Sequence, residues 1–469
     1  STHSVHPQPE DGDNGAGASE APKVQVRLTT NISSASLRIP SSTPILLLPS
    51  SLGRFGLSEV INHLLSLPAP TPFDFLINGR LLRTSIKEFS EEKGLSLEAV
   101  LEVEYILSSQ PPALAASLPQ DDWISDVAVT SFVPYILTTS YEGLARVLNR
   151  AGKEIATLGE IVKTSAGRRK PLRAAAWVDG TFVIGESGMR EDTVFGLVGS
   201  DDGVVTMWEI SPGNGMAYPL YASGEHMAGV TDLAVSPSGR HFASSSTDGK
   251  ILLYSTRQPQ DAAATDASVP SSQDRTKRRK VNVSTAPRTQ SILSLEKSGA
   301  TSTVVVSSVC FDTIDGDQIY SGGWDHAVRG WDVETGVERR AMTCDKVVLS
   351  IDHSPLSTML ATGHADGVVR IWDPRSNDGS LVKLHLSSRS PSFHPAVKWS
   401  PTSAFHVAAG SHDGHVRIWD LRSDRALYAI AARGVQEGKG SEKVLAIDWV
   451  DGLLVSGGEG RNVDMWNVK

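Results

Sequence analysis

DGVVRIWD at residues 366–373 and DGHVRIWD at residues 413–420 are two copies of one octapeptide, 47 residues apart. Each begins with an Asp-Gly turn signal and runs into β-branched and aromatic residues, the texture of a strand leaving a tight turn. The same template returns as EGLARVLN (142–149), DDGVVTMWE (201–209), DGKILLY (248–254), DHAVRGWD (325–332) and GRNVDMW (460–466). Its aromatic position falls at Leu148, Trp208, Tyr254, Trp331, Trp372, Trp419 and Trp466, in steps of 60, 46, 77, 41, 47 and 47. The period of WD repeats is about 40–45 residues, so the two long steps carry insertions. Ahead of the copies lie apolar strands with turns, such as VTDLAVSPSGRHFASSS (230–246) and VLAIDWVDGLLVSGG (444–458). Each copy is therefore one strand meander, and seven of them predict a seven-bladed WD-repeat β-propeller over residues 109–469. The seventh copy shows no segment for an outer strand, and residues 113–118 (ALAASL) are the expected donor that closes blade seven.

The recurring residues have a structural reading. A turn Asp, a third-strand Trp, a Ser or Thr and a His form a buried hydrogen-bond network that locks a blade. Its expected members include Asp325 with Trp331, Asp366 with Trp372, and Asp413 with Trp419. In the third blade they are His226, Ser245 or Ser246, Asp248 and Tyr254. Ser, His and Asp together are also a hydrolase's residue types, but no nucleophile elbow accompanies them and the arrangement recurs from blade to blade. Phosphate loops and HExxH are equally lacking, so no enzyme is expected.

Upstream of the repeats the texture differs. VQVRLTT alternates, ILLLP (45–49) is a short apolar run, and LSEVINHLL (57–65) places Leu57, Val60, Ile61, Leu64 and Leu65 on one helical face. FDFLINGRLL reads as two strands about an Asn78-Gly79 turn, IKEFSEEKGL as a short helix ending at Gly94, and VLEVEYIL as a last strand. This is the order of a ubiquitin-like β-grasp domain over 23–108, so the chain is mainly β. Residues 1–22 hold four acidic residues, no Lys or Arg and almost nothing apolar, which predicts a disordered tail.

Charge and composition narrow the partners. The 44 Lys and Arg against 53 Asp and Glu give a net charge of -9, which argues against a global grip on nucleic acid. One local exception is DRTKRRKVNVSTAPR (274–288), inside a basic insertion over about 257–290 that is expected to be disordered. There Lys277, Arg278, Arg279 and Lys280 read as a nuclear import signal or an RNA-phosphate contact. Two Cys, Cys310 and Cys344, suit a reducing compartment. No apolar run reaches the length of a membrane span, and no membrane partner is expected.

The residue before each turn Asp projects onto one propeller face, here Tyr141, Asp201, Thr247, Trp324, Ala365, His412 and Glu459. Trp324 stands out, because Trp331 already fills the core position and exposed aromatics favour interface centres. Tyr141 and His412 share that face.

GRFGLSEVINHLL (53–65), PFDFLINGRLLRTS (72–85), EKGLSLEAVLEVEY (92–105) and DDWISDV (121–127), followed by seven blades, resemble the Ytm-type WD-repeat ribosome-biogenesis factors. The resemblance implies a nucleolar and nucleoplasmic factor acting on the large-subunit precursor. Its propeller would bind a block-of-proliferation (BOP) type WD-repeat protein and, through it, a pescadillo-type protein. Its ubiquitin-like domain would be gripped by the metal-ion-dependent adhesion-site (MIDAS) domain of the AAA-type ATPase midasin. Matched onto the family motif, Glu98 would complete the shell of a Mg²⁺ held by that receptor, and no cofactor of the chain's own is implied. Mg²⁺ is a hard ion that prefers carboxylate oxygens, and Glu98 follows the Gly94 turn. Glu88, Glu91 and Glu92 are the neighbouring alternatives. The competing reading is a ubiquitin-pathway substrate receptor or adaptor. A modifier would end in a flexible Gly-Gly tail, whereas EYILSSQPPALAAS runs straight into the expected closing strand.

Overall fold

In β1 (Lys23–Thr29) Val24 and Val26 are buried while Lys23, Gln25 and Arg27 are exposed, the alternation of a strand with one face on a core. The computed structural model of the protein describes residues 22–40, 45–159, 169–179, 183, 193–257, 286–296, 304–376, 382–385, 392–423, 425–432 and 442–468. The chain divides into two compact units, residues 1–109 and 110–469.

In the first unit β1 is followed by β2 (Leu46–Pro49), α1 (Arg54–Leu65), β3 (Phe73–Ile77), β4 (Arg80–Leu81), α2 (Ile86–Lys93) and β5 (Leu101–Leu107). The sheet order is β2-β1-β5-β3-β4, with β1 and β5 parallel, which is a β-grasp sheet. Asn78 and Gly79, both at positive φ, make the β3–β4 hairpin turn. Helix α2 starts in a capping box between Ser85 and Glu88 and stops at Gly94 in the left-handed conformation. Helix α1 begins at Arg54, earlier than the apolar periodicity implied, and buries only Leu57 and Ile61. Leu64 is exposed, so the stripe that meets the sheet is narrower than the five expected residues. The Tyr105 hydroxyl donates to Leu37 O at 3.0 Å and accepts from Ile39 N at 2.9 Å, tying the β1–β2 connection to β5.

Among the described residues the second unit forms seven four-stranded antiparallel sheets. Their inner strands are Ile124–Ala128, Leu172–Val178, Val230–Val235, Val306–Phe311, Val348–His353, Ala396–Trp399 and Val444–Val450. Each packs against the next, and the seventh packs against the first. In six sheets the strands follow chain order from the centre outward, but the outer strand of the seventh is β6 (Ala113–Pro119). β6 pairs antiparallel with Asn462–Asn467, and Ser117 Oγ donates to Asp464 Oδ1 at 2.5 Å.

The tail read over 1–22 lies outside the described residues except for Pro22, whose carbonyl accepts Ser50 N at 2.8 Å. Of the basic insertion, Lys277, Arg278, Arg279 and Lys280 also lie outside them. Its return limb is described: Ala222 N donates to Pro287 O and Thr289 N to Ala222 O, both at 2.9 Å. The limb thus borders the outer strand of the second sheet (Met216–Ser223) before forming the outer strand of the third (Leu293–Leu295).

Three of the third-strand tryptophans donate to hydroxyls on the second strand. Trp331 Nε1 donates to Ser321 Oγ at 2.9 Å, Trp372 Nε1 to Thr362 Oγ1 at 2.7 Å, and Trp466 Nε1 to Ser456 Oγ at 3.4 Å. Thr362 faces Arg370 across its ladder, and in the sixth sheet the residue facing the equivalent Arg417 is Ala409. Without a hydroxyl there, Trp419 Nε1 and His394 Nε2 are buried with no hydrogen-bond partner among the described residues. Since His394 Nδ1 donates to Gly410 O at 3.1 Å, Nε2 is the acceptor nitrogen. A serine at 409 can accept from Trp419 and donate to His394. Ala409→Ser should therefore raise the unfolding free energy by about 1 kcal/mol in urea titration, whereas Thr362→Ala should lower it by roughly 1–3 kcal/mol. A destabilised Ala409→Ser chain would contradict this account.

Candidate functional site

The loop that carries Glu98 is anchored just ahead of it and runs into β5 at Leu101. Gly94 caps α2, Leu95 N donates to Ser90 O at 2.8 Å, and Leu95 and Leu97 pack against the core of the unit. Glu98 N donates to Ser96 Oγ at 3.3 Å, and the Glu98 side chain is exposed with no partner among the described residues. The neighbouring carboxylates are engaged: Glu88 in the α2 cap, Glu91 at 4.0 Å from Lys87 Nζ and Glu92 at 3.0 Å from Lys93 Nζ. Glu98 is thus the carboxylate of this group that can give an oxygen to a hard cation without breaking an existing bond. Among the described residues no group of three or more His, Cys, Asp or Glu could hold a metal on this chain itself.

On the propeller unit, the residues before the turn Asp occupy equivalent places. The backbone N–H groups of Tyr141, Asp201, Thr247, Trp324, His412 and Glu459 each donate to a carbonyl just ahead of the inner strand of the same sheet, at 2.9–3.1 Å. Trp324 is 56% exposed, so a large apolar surface meets solvent there. Tyr141 and His412 are half-buried, each against an aromatic that precedes an inner strand. Tyr141 stands edge-on to Trp123 at 6.2 Å with the Arg173 guanidinium 5.8 Å over its ring, and His412 lies 5.3 Å from Phe393. Trp123 and Phe393, both exposed, were missed in the sequence because they lie outside the octapeptide, although Trp123 immediately precedes its inner strand and Phe393 lies three residues ahead of its own. Between these two pairs the seventh sheet presents an ion pair, Lys443 Nζ to Glu459 Oε1 at 2.8 Å.

The blade networks differ in detail from the expectation. In the third sheet His226 bonds Asp248 Oδ2 at 3.0 Å and Ser244 Oγ at 2.7 Å, so the hydroxyl is neither Ser245 nor Ser246. Ser245 turns to Thr231, as strand alternation requires of the residue on the other face, and Ser246 donates to Ala228 O beside the turn. In the next three sheets the turn Asp pairs with the Arg four residues on: Asp325 with Arg329, Asp366 with Arg370 at 2.7 Å, and Asp413 with Arg417 at 2.6 Å. The expected Asp–His pairing is therefore described in the third sheet, while Arg takes the Asp in these three. Burial works against the Asp248 anion, but bonds from His226, Met227 and Lys250 hold its pKa down to about 2.

Four inner-strand carboxylates join neighbouring sheets. Asp126 accepts from Ala175 N at 2.8 Å, Asp232 from Val309 N at 3.0 Å, Asp352 from Trp399 N at 2.8 Å and Asp448 from Val129 N at 2.7 Å. They line a central cavity of about 370 Å³ with Lys398, whose Nζ is 3.6 Å from both Asp352 and Asp448. Burial, and for Asp126 the charge of Asp232, pushes Asp126 up to about 8; burial pushes Asp352 up to about 6. These groups hold the sheets together, and their bonded oxygens leave little capacity for a ligand.

Family models match the chain in three places: one described as NLE (NUC135) domain over residues 24–90, one as Nucleolar protein 10-like, N-terminal domain over 315–468, and one as WD domain, G-beta repeat over 218–255. The ribosome biogenesis protein WDR12 homolog of Chlamydomonas reinhardtii is 32% identical over 463 residues, 94% of this chain and 96% of the relative. The WDR12 homolog of Oryza sativa subsp. japonica is 32% identical over 461 residues, 95% and 97% of the two chains. Ribosome biogenesis protein ytm1 of Aspergillus niger is 32% identical over 393 residues, 80% of this chain and 77% of the relative.

The buried histidines carry a pH signature. Burial holds both His364 and His394 down at about 4, against about 6.5 for an exposed imidazole. Between those values the unfolded chain binds a proton that the folded chain does not, so this contribution is present above pH 6.5 and is lost as pH falls toward 4. The inner-strand carboxylates run the opposite way, which makes a difference measurement necessary. The stability deficit of His364→Gln relative to the natural chain should be largest at pH 7 and shrink by pH 4.5, read from urea unfolding at each pH.

Proposed function

The chain belongs to the family of ribosome biogenesis proteins named WDR12 and YTM1, and on that premise we propose that it is a non-enzymatic assembly factor of the large ribosomal subunit with two handles. One handle is the β-grasp unit, taken by the MIDAS domain of midasin through a receptor-held Mg²⁺. The other is the propeller, which docks a BOP-type propeller protein and thereby a pescadillo-type protein. In this reading its work lies in the nucleolus and nucleoplasm. The observation that carries the first handle is the exposed, unengaged carboxylate of Glu98 on an anchored loop, beside three carboxylates already in use. When the receptor's Mg²⁺ is present it supplies an open coordination position. This chain supplies one anionic oxygen, from a residue whose backbone is positioned by Leu95, Leu97 and the Ser96 hydroxyl. Exposed Trp324 and the pairs Tyr141–Trp123 and His412–Phe393 support the second handle, since aromatic anchors carry much of the energy of protein interfaces.

The adaptor reading in the ubiquitin pathway has less behind it. β5 ends at Leu107 and β6 begins at Ala113, so the β-grasp unit lacks the free tail a modifier uses, and that reading gives Glu98 no task.

Binding of the full chain to midasin's MIDAS domain, measured in Mg²⁺ and in EDTA, tests the proposal. Glu98→Ala should weaken binding roughly 30-fold or more in Mg²⁺, and EDTA should do the same to the natural chain. Glu91→Ala should change it less than about twofold, because an exposed pair contributes little. In a parallel titration with the BOP-type partner, Trp324→Ala should weaken binding about fivefold or more while Glu98→Ala leaves it unchanged. Equal loss from Glu98→Ala and Glu91→Ala would overturn the assignment of the metal contact.

A further inference from the structure

The edge strand β2 carries an exposed apolar strip. Leu47 is 59% exposed and Ile45 43%, on a strand that has an unpaired edge among the described residues, where charge is the usual guard. The register shows what lies beside it. Gln25 of β1 pairs with Leu47, and Val26 pairs with Leu101 of β5 in the parallel ladder, so one step back Gln25 lies beside Val100. Val100 is also exposed, and burial alternates along β5 so that Val100 shares the outer face with Glu102. Leu47 and Val100 thus flank Gln25 from its two sides, about 10 Å apart across two strand spacings. The far end of this face is self-satisfied, since Arg27 Nη1 and Glu102 Oε1 pair at 3.3 Å. At its near end, two residues before Val100, stands the unengaged Glu98.

We infer that the outer face of β2, β1 and β5, centred on Leu47 and Val100, is the apolar half of the surface whose polar half is Glu98. Its occupant is the same receptor domain that brings the divalent cation. The inference rests on the reading of Glu98 above and extends it. A single carboxylate-to-metal bond gives direction but little discrimination, because any exposed carboxylate could make it. An adjoining apolar strip buried in the same contact selects this carboxylate among the many on an acidic chain and excludes water from the metal bond. Phe55 is more exposed still at 76%, but it sits on α1, which covers the opposite face of the sheet, and so serves as the control.

The test uses the full chain and the Mg²⁺-loaded receptor domain, with Leu47→Thr, Val100→Thr, the double variant, Phe55→Ser and Glu98→Ala. Threonine keeps the β-branched strand preference, and thermal melts confirm folding; Leu47→Met provides a conservative rescue. Each Thr variant should bind about tenfold more weakly, the loss expected for one buried aliphatic side chain, while Phe55→Ser and Leu47→Met bind as the natural chain does. Normal binding by the double variant, with Glu98→Ala defective, would overturn the apolar contact and leave the metal contact standing. A defective double variant with normal Glu98→Ala would retain the patch and remove the metal reading. An equal loss in Phe55→Ser would show that the effect is not local to this face, and the inference falls.

Discussion

The antiparallel pairing of Ala113–Pro119 with Asn462–Asn467 is the interaction on which the propeller unit depends. It joins the two ends of the unit, and the bond from Ser117 to Asp464 alone spans 347 positions. A sheet with a bare edge invites association with other chains, and here the last sheet is completed by the first strand of the unit. Because β6 is used in this way, only a short segment separates it from the end of the β-grasp unit at Ser109. The inner-strand aspartates reinforce the arrangement from within. Asp448 reaches across to Val129 where the seventh sheet meets the first, and Asp126, Asp232 and Asp352 do the same at three other junctions.

Much of this was legible in the sequence because it is local. An Asp-Gly turn followed by a β-branched run and a Trp is a complete physical signal, and repetition removed the ambiguity a single copy would carry. The β-grasp order could be read from alternation, one helical stripe and the Asn78-Gly79 turn. What escaped depends on partners distant in the chain. Which of Ser244, Ser245 and Ser246 meets His226 turns on strand register, which composition does not reveal. The Asp–Arg pairs of three sheets lie within one octapeptide and could have been found by asking which cation lies four residues from each turn Asp. The inner-strand carboxylates act between blades, and nothing in one repeat announces them.

The candidate sites divide along the same line. Glu98 is an ordinary loop carboxylate by composition, and the family motif singled it out. The structure adds that Glu88, Glu91 and Glu92 have other occupations and that Leu95 and Leu97 hold the loop just ahead of Glu98. For the propeller face the octapeptide located Tyr141, Trp324 and His412, but their aromatic neighbours Trp123 and Phe393 precede the inner strands and fell outside the template.

The central claim is that the two units are separate handles, one metal-dependent and one not, that can be held at the same time. The most direct measurement is the mass, by size exclusion with light scattering, of the species formed when the full chain meets the BOP-type partner and the MIDAS domain together. The account predicts a 1:1:1 complex in Mg²⁺ that loses only the MIDAS domain when Glu98→Ala is used or EDTA is added. If the two partners exclude one another, or if EDTA releases both, the claim of two independent handles is wrong.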